Sequence, residues 1–462
     1  MLTHTDLVTG LGSTLRATVG GDDRTVERAV ADSRLCRPGD LFVALPGESL
    51  DGADYVTDAF ARGAVAALTA RAPETLPAGR TLYLADDPLA ALQALAGWWR
   101  ARFDPRVAAI TGTVGKTSTK EVMAHVLGAR ARVLKTEGSL NGEIGLPLML
   151  LRLRPEDEVA VLELGLFWKG EIRLQCELAR PRYGAVTNIG YTHAERLGSI
   201  DAIAAAKREL VEWLPPECTV ALNADDARVL AMAGHARCHV VTYGLGTDAE
   251  VRADAIEDFG LNGLAFRITA GGLSARVRTP LLGRHSIGNC LAATVVALAD
   301  GMTLIEVAEA LATATNPLRL KALPGPNGST LLDDTYNAGP ASMAAALDLL
   351  AATPGRKLAV LGDMLELGEM EERLHRALGE HAARVADLTL FVGPRARWAA
   401  EAARAAGGRE VRYQETQDGL ATAILAEARP GDTILLKASR GMALEQIVAA
   451  VRGADGCGTD KE

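Results

Sequence analysis

Lys116, Thr117 and Ser118 follow a glycine-rich turn, Thr111-Gly112-Thr113-Val114-Gly115, at a spacing suited to holding a triphosphate. Gly112 and Gly115 let backbone N–H groups converge on an anion, and a helix start adds partial positive charge. The Lys116 ammonium can reach the terminal phosphates, and the Thr117 hydroxyl can ligate Mg²⁺. The flanks supply the frame this chemistry needs. An apolar run from Val107 to Ile110 enters the turn as a strand, and a helix-like segment leaves it and stops at Leu127 before Gly128. The longer motif, Gly-x-x-x-x-Gly-Lys, has a glycine where this chain has Ile110, so the turn is the shorter Gly-Thr-x-Gly-Lys-Thr. The expectation is a protein that binds and uses ATP.

Other polar residues stand after apolar runs. Glu163 ends Val159-Ala160-Val161-Leu162, and His193 follows Thr187-Asn188-Ile189. In parallel sheets ligands sit beyond the carboxyl ends of strands, so both residues can face the phosphate turn. A carboxylate is a hard ligand for Mg²⁺, and histidine a softer one. Alone, Glu163 also fits a solvated strand end, His193 a loop or capping histidine, and Lys207 a solvated helix face. For Lys207 alone the solvated face is the reading the residues favour; the alanines around it also permit burial. Three further strand ends carry polar groups: Asp333-Asp334-Thr335-Tyr336-Asn337-Ala338, Gly362-Asp363-Met364-Leu365-Glu366-Leu367-Gly368 and Lys437-Ala438-Ser439-Arg440. Their recurrence points to a binding face.

Positioning these residues takes more than one core, because 462 residues exceed the usual domain of about 100–200. Three α/β blocks are expected: a small N-terminal domain over 1–84, a central ATP-binding domain with a mostly parallel sheet over 85–315, and a Rossmann-like domain over 316–462. Strand candidates are Leu41 to Leu45 in the first block, and Gly184 to Thr187 and Thr219 to Leu222 in the second. Leu358 to Leu361, Leu388 to Val392 and Ile434 to Lys437 belong to the third.

Composition narrows the class. A net charge of −9 argues against a general nucleic-acid binder. The first residues lack a basic stretch followed by an apolar one, and no apolar run approaches the roughly 20 residues of a membrane span. Six scattered cysteines without a Cys-x-x-Cys pair read as reduced thiols, so a cytoplasmic location is expected. His235, Cys238 and His239 lie close together, but further ligands at zinc spacing are missing and a turn before a strand is the better reading.

Together these segments resemble the MurF type of the Mur ligase superfamily over nearly the whole chain. The resemblance runs from Asp32-Ser33-Arg34 and Leu41-Phe42-Val43-Ala44-Leu45 through the phosphate turn, Glu163-Leu164-Gly165, Gly170-Glu171-Ile172, His193 and Gly283-Arg284-His285 to Asp333 to Ala338, Gly362 to Gly368 and Ser439-Arg440. The Tyr336-Asn337-Ala338 and Gly362 to Gly368 segments are the most specific for this type. The resemblance implies an ATP-dependent ligase of peptidoglycan precursor synthesis. Such a ligase adds D-alanyl-D-alanine to a UDP-N-acetylmuramoyl tripeptide through an acyl phosphate.

It also implies roles. Gly112, Thr113, Gly115, Lys116, Thr117 and Ser118 would hold the ATP phosphates, Asn289 the adenine, and Arg319 and Asp334 the phosphate and ribose side. Thr117, Glu163, His193 and a carbamylated Lys207 would hold Mg²⁺, with Lys116, Lys207, His193 and Glu163 as the catalytic set. Ser33, Arg34, Gly47, Asn141, Tyr336 and Asn337 would contact the peptide substrates, and a monomer is expected. The chain departs from the family pattern at Ser139 and Gly142 in Gly138-Ser139-Leu140-Asn141-Gly142, at Leu166-Phe167-Trp168-Lys169, and at Ala53, Ser286, Leu318 and Ala438. These departures touch substrate detail and keep open a paralogue with another acyl acceptor; a non-catalytic nucleotide-gated binder, against which Lys116, Glu163, His193 and Lys207 all speak, and a plain ATPase are further rivals.

Overall fold

The computed structural model describes residues 1–21, 24–47, 50–191, 194–315 and 320–453. The chain forms two compact units, one of residues 1–109 and 130–184, the other of residues 110–129 and 185–462.

The first unit contains a five-stranded sheet of β1 (Ala17–Val19), β2 (Arg28–Val30), β3 (Asp40–Val43), β4 (Ala66–Thr69) and β5 (Thr81–Leu84), in the order β1-β5-β4-β3-β2. Strands β2 to β5 pair in parallel, and β1 joins antiparallel. Every residue of β3, β4 and β5 is buried, the continuous apolar signature of a parallel strand covered on both faces.

A nine-stranded sheet follows. Its strands are β6 (Arg106–Thr111), β7 (Val133–Lys135), β8 (Val159–Glu163), β9 (Tyr183–Val186), β10 (Thr219–Asn223), β11 (His239–Gly244), β12 (Val251–Asp258), β13 (Leu264–Ala270) and β14 (Leu273–Thr279). Their order is β14-β13-β12-β11-β10-β9-β6-β8-β7. Pairs β7–β8, β10–β11 and β11–β12 are parallel, as the sequence predicts. β12, β13 and β14 add an antiparallel meander that the sequence pattern does not announce. The reason is physical: much of β12 and β14 is exposed, so neither shows an apolar run, and only the Gly271-Gly272 turn, both residues at positive φ, marks the β13–β14 hairpin. His239 opens β11 after a short 3₁₀ turn ending at His235, and the described residues hold no cluster of three or more His, Cys, Asp or Glu suited to a metal.

The third sheet comprises β15 (Lys321–Pro324), β16 (Thr330–Asp333), β17 (Lys357–Gly362), β18 (Leu388–Val392), β19 (Val411–Gln414) and β20 (Thr433–Lys437), ordered β15-β16-β20-β17-β18-β19. All neighbours are parallel except β15–β16. The period of two along β17 divides its side chains between two cores. Ala359 and Leu361 face helices Pro340–Ala352, Glu371–Val385 and Ala396–Ala405, whereas Leu358 and Val360 face helices Leu420–Glu427 and Glu445–Gly453. This is the doubly wound arrangement expected of the third block.

Candidate active site

The phosphate turn closes between β6 and the helix Lys116–Leu127. Gly112 has φ of 143°, and a Cβ there would lie 1.9 Å from Thr187 Oγ1, so only glycine fits. Gly115, at φ 88°, caps the helix in a left-handed conformation. The turn is braced from the end of β9. Asn188 accepts the Thr113 N–H through its carbonyl and the Val114 N–H through Oδ1, each at 2.9 Å, while its Nδ2 donates to Val114 O at 2.9 Å. Thr187 Oγ1 also donates to Val114 O, at 2.6 Å, and Gly190 N–H donates to Thr113 Oγ1 at 2.8 Å. Neither Thr187 nor Asn188 was picked out as a site residue from sequence; their signal is their place directly after an apolar strand.

Lys116 Nζ folds back onto the turn, donating to Gly112 O at 2.9 Å, and Lys207 Nζ reaches the same carbonyl at 3.0 Å from the helix Ile200–Trp213. Lys207 is buried together with Ile203, Ala206, Leu210 and Val211, in the apolar stripe of its helix rather than on a solvated face. Thr117 is buried at the helix start. Asn289, buried on the helix His285–Ala299, accepts the Thr119 hydroxyl at 3.0 Å through Oδ1. The structure thus gathers Gly112, Thr113, Gly115, Lys116, Thr117, Lys207 and Asn289 around one anion-binding turn. Ser118 follows in the same helix. Two sequence-predicted residues, His193 and Arg319, lie outside the described residues.

In the first unit, Glu163 is the buried last residue of β8, and its Oε1 accepts from Asn141 Nδ2 at 3.0 Å. Below this pair, Gln175 and Glu171 hold two loops. Gln175 Oε1 accepts the N–H groups of Gly142 and Gly165 at 3.2 and 3.1 Å. Glu171 accepts from Glu143 N–H with one oxygen and from Phe167 N–H with the other. Gly142 has φ of 73°, and a Cβ there would stand 2.8 Å from Glu171 Oε1, so this departure from the family pattern matches its surroundings. Phe167 and Trp168 are exposed, and Trp168 Nε1 donates to Glu143 at 3.2 Å. Ser33 is buried, Arg34 pairs with Asp32 at 2.7 Å, and Gly47 donates its N–H to Leu50 O at 2.9 Å.

The strand ends of the third sheet are tied together. Lys437, wholly buried, donates to Asp334 Oδ2 at 2.5 Å and to Asn337 O at 2.9 Å. This holds the Tyr336-Asn337 turn against β20. Asp363 accepts the N–H groups of Arg395 and Ala396 at 3.1 and 2.7 Å; burial raises its carboxyl above the usual range and those donors oppose the rise. His375 accepts the Met364 N–H at 3.0 Å, and burial pushes its imidazole below the ordinary histidine range. Ser286 donates to Leu282 O at 2.7 Å, and Ala438 is buried, its Cβ 2.7 Å from where a Cβ on Gly362 would stand.

Three family descriptions match successive parts of the chain: the Mur ligase family catalytic domain over residues 26–98, the Mur ligase middle domain over 110–297, and the Mur ligase glutamate ligase domain over 318–440. The UDP-N-acetylmuramoyl-tripeptide–D-alanyl-D-alanine ligase of Synechocystis is 37% identical, with 93% of this chain and 92% of that protein covered. The enzyme of the same name from Bacillus subtilis is 37% identical, with 92% and 93% covered. A crystal structure of MurF from Acinetobacter baumannii superposes with a TM-score of 0.85 at 29% identity, covering 98% of this chain and 99% of that one. MurF ligase from Thermotoga maritima in complex with ADP superposes at 0.80 with 26% identity, covering 94% and 99%. The chain belongs to the Mur ligase family, and within it to the UDP-N-acetylmuramoyl-tripeptide–D-alanyl-D-alanine ligases.

Proposed function

We propose that this protein joins D-alanyl-D-alanine to UDP-N-acetylmuramoyl tripeptide, consuming ATP, in peptidoglycan precursor synthesis. The observation that carries the reading is the braced phosphate turn with Lys116 and Lys207 on it, in a chain that aligns with named ligases over more than nine-tenths of its length. A carboxylate oxygen of the peptide attacks the γ-phosphorus of ATP, ADP leaves, and an acyl phosphate forms. The amine of the dipeptide then attacks the acyl carbon, the C–O bond to phosphate breaks, and a proton leaves the nitrogen.

The first step brings two anions together. Lys116 and the N–H groups of the turn offset that repulsion and hold the γ-phosphate in line. Thr117 and Glu163 offer hard oxygen donors that fit Mg²⁺, with His193 and Lys207 completing the proposed metal set. When bound, Mg²⁺ supplies positive charge to the transferring phosphoryl group. Carbamylation of Lys207 would convert a buried ammonium into an anion of metal-binding type, which suits its place beside Gly112. Asn289, Arg319 and Asp334 are proposed to contact the nucleotide. Ser33, Arg34, Gly47, Asn141, Tyr336 and Asn337 are proposed to contact the peptide substrates. The domains of the reading are 1–84, 85–315 and 316–462, in a monomer. No helix among the described residues is long and apolar enough to cross a membrane. A cytoplasmic location belongs to the proposal.

The test is phosphate release by purified protein with ATP and Mg²⁺, leaving out each peptide substrate in turn. Release that needs both, with a product heavier by one dipeptide residue, supports the ligase. Turnover of ATP alone assigns an ATPase instead.

A further inference from the structure

Arg440 follows the end of β20 and is exposed, with its guanidinium carbon 5.2 Å from the centre of the Tyr336 ring. Stacking on an aromatic face holds the planar fork in one orientation while leaving its N–H edges open to a planar anion. Both partners rest on fixed backbone. Asp333 accepts from the Thr335 hydroxyl at 2.7 Å, and Lys437 holds Asn337 O, so the Tyr336 turn is pinned on both sides. Ser439 donates its N–H to Asp363 O at 3.0 Å and accepts the Leu365 N–H on Oγ at 2.9 Å, which pins the residue before Arg440. Gly441 lets Leu365 approach, since a Cβ there would lie 3.2 Å from the Leu365 side chain.

The carboxylates at this sheet edge are engaged elsewhere. Asp333 serves Thr335, Asp334 serves Lys437, and Asp363 serves the start of the helix Ala396–Ala405. Among the described residues no carboxylate lies within 4.0 Å of the Arg440 guanidinium, which stacks on the Tyr336 ring instead. Asn337, the residue after Tyr336, is exposed; its Oδ1 accepts from Ala338 N–H, and its Nδ2 has no hydrogen-bond partner among the described residues. A stacked guanidinium and an amide donor therefore stand together at a strand end.

Resting on the ligase reading above, we propose that Arg440, stacked on Tyr336 and assisted by Asn337, binds the C-terminal carboxylate of the D-alanyl-D-alanine acceptor. The ATP phosphates already have the turn and Lys116. The dipeptide must keep its amine uncharged for attack while its carboxylate stays charged, and in a chain of net charge −9 that carboxylate needs a local cation. Arg440 is thus a binding residue for the second step, with no part in phosphorylating the first substrate.

The test compares D-alanyl-D-alanine with its C-terminal amide as acceptors, at saturating ATP, Mg²⁺ and UDP-N-acetylmuramoyl tripeptide. The enzymes are the full-length protein, Arg440→Met and Arg440→Lys. The parent protein should prefer the free acid over the amide by about 10- to 100-fold in kcat/KM, the range of a hydrogen bond to a charged group. Arg440→Met should lose that preference by raising KM for the acid, leaving kcat/KM for the amide and KM for ATP within about threefold. Arg440→Lys should fall between them, since an ammonium keeps the charge and loses the fork. Equal losses on acid and amide, or a change confined to KM for ATP, would overturn the proposal. A parent protein that uses neither acceptor would refute the ligase reading itself.

Discussion

Replacing Lys437 with methionine isolates the buried tie beneath the Tyr336 turn. The Lys437 side chain is 0% exposed and that of Asp334 9%, and the ammonium satisfies both the carboxylate at 2.5 Å and Asn337 O at 2.9 Å. Methionine fills similar space but donates to neither, leaving a buried anion uncompensated. Breaking such a pair from one side costs about 3–5 kcal/mol. At about 1.4 kcal/mol per decade that is two to three and a half decades in a local opening constant. β16 and β20 pair in parallel over Leu331–Ile434 and Leu332–Leu435, so their amides report the opening. Hydrogen exchange over residues 330–337 and 433–439 should accelerate by about 100-fold or more in Lys437→Met. The double variant Lys437→Met/Asp334→Leu should return to within about tenfold of the parent, because an apolar pair removes the charge as well as its partner. Exchange in the single variant that rises less than tenfold, or a double variant as fast as the single, would refute the reasoning.

Lys207→Ala should leave the fold intact and turnover nearly absent, with partial recovery on adding a short carboxylate such as acetate; a fully active variant without rescue would remove the carbamate from the account. His375 supplies a pH dependence. Its imidazole must be neutral at Nε2 to accept the Met364 N–H, and burial lowers its folded pKa, with Asp363 and Glu371 opposing and Arg395 reinforcing the shift. The unfolded chain therefore binds the proton first. The stability this residue contributes is complete above about pH 6.5 and is lost as pH falls from there toward the lower folded value, at no more than about 1.4 kcal/mol per unit. Urea midpoints of the parent and His375→Gln should converge as pH drops from 7.5 to 5.5; a gap that stays constant would show that the imidazole does not titrate against the fold.

The buried strands β6, β8, β17, β18 and β20 were readable because each is a continuous apolar run, which is what a parallel strand covered on both faces needs. The phosphate turn was readable because its glycines and lysine have fixed spacing. β12 and β14 were not, since much of each strand faces solvent. The braces of the site were also hidden. Asn188, Glu171, Gln175 and Lys437 are single polar residues whose meaning depends on which backbone groups arrive beside them after folding. Lys207 taken alone reads as a solvated helix-face residue, and the structure corrects this: its register with Ile203 and Leu210 on one helix face buries it.

The central claim is that ATP activates the peptide carboxylate directly. UDP-N-acetylmuramoyl tripeptide labelled with ¹⁸O in the reacting carboxylate, turned over with ATP and D-alanyl-D-alanine, tests it by mass spectrometry of the released phosphate. An acyl phosphate deposits one carboxylate oxygen in that phosphate, so the account predicts one ¹⁸O per phosphate formed. Unlabelled phosphate alongside amide product would contradict it.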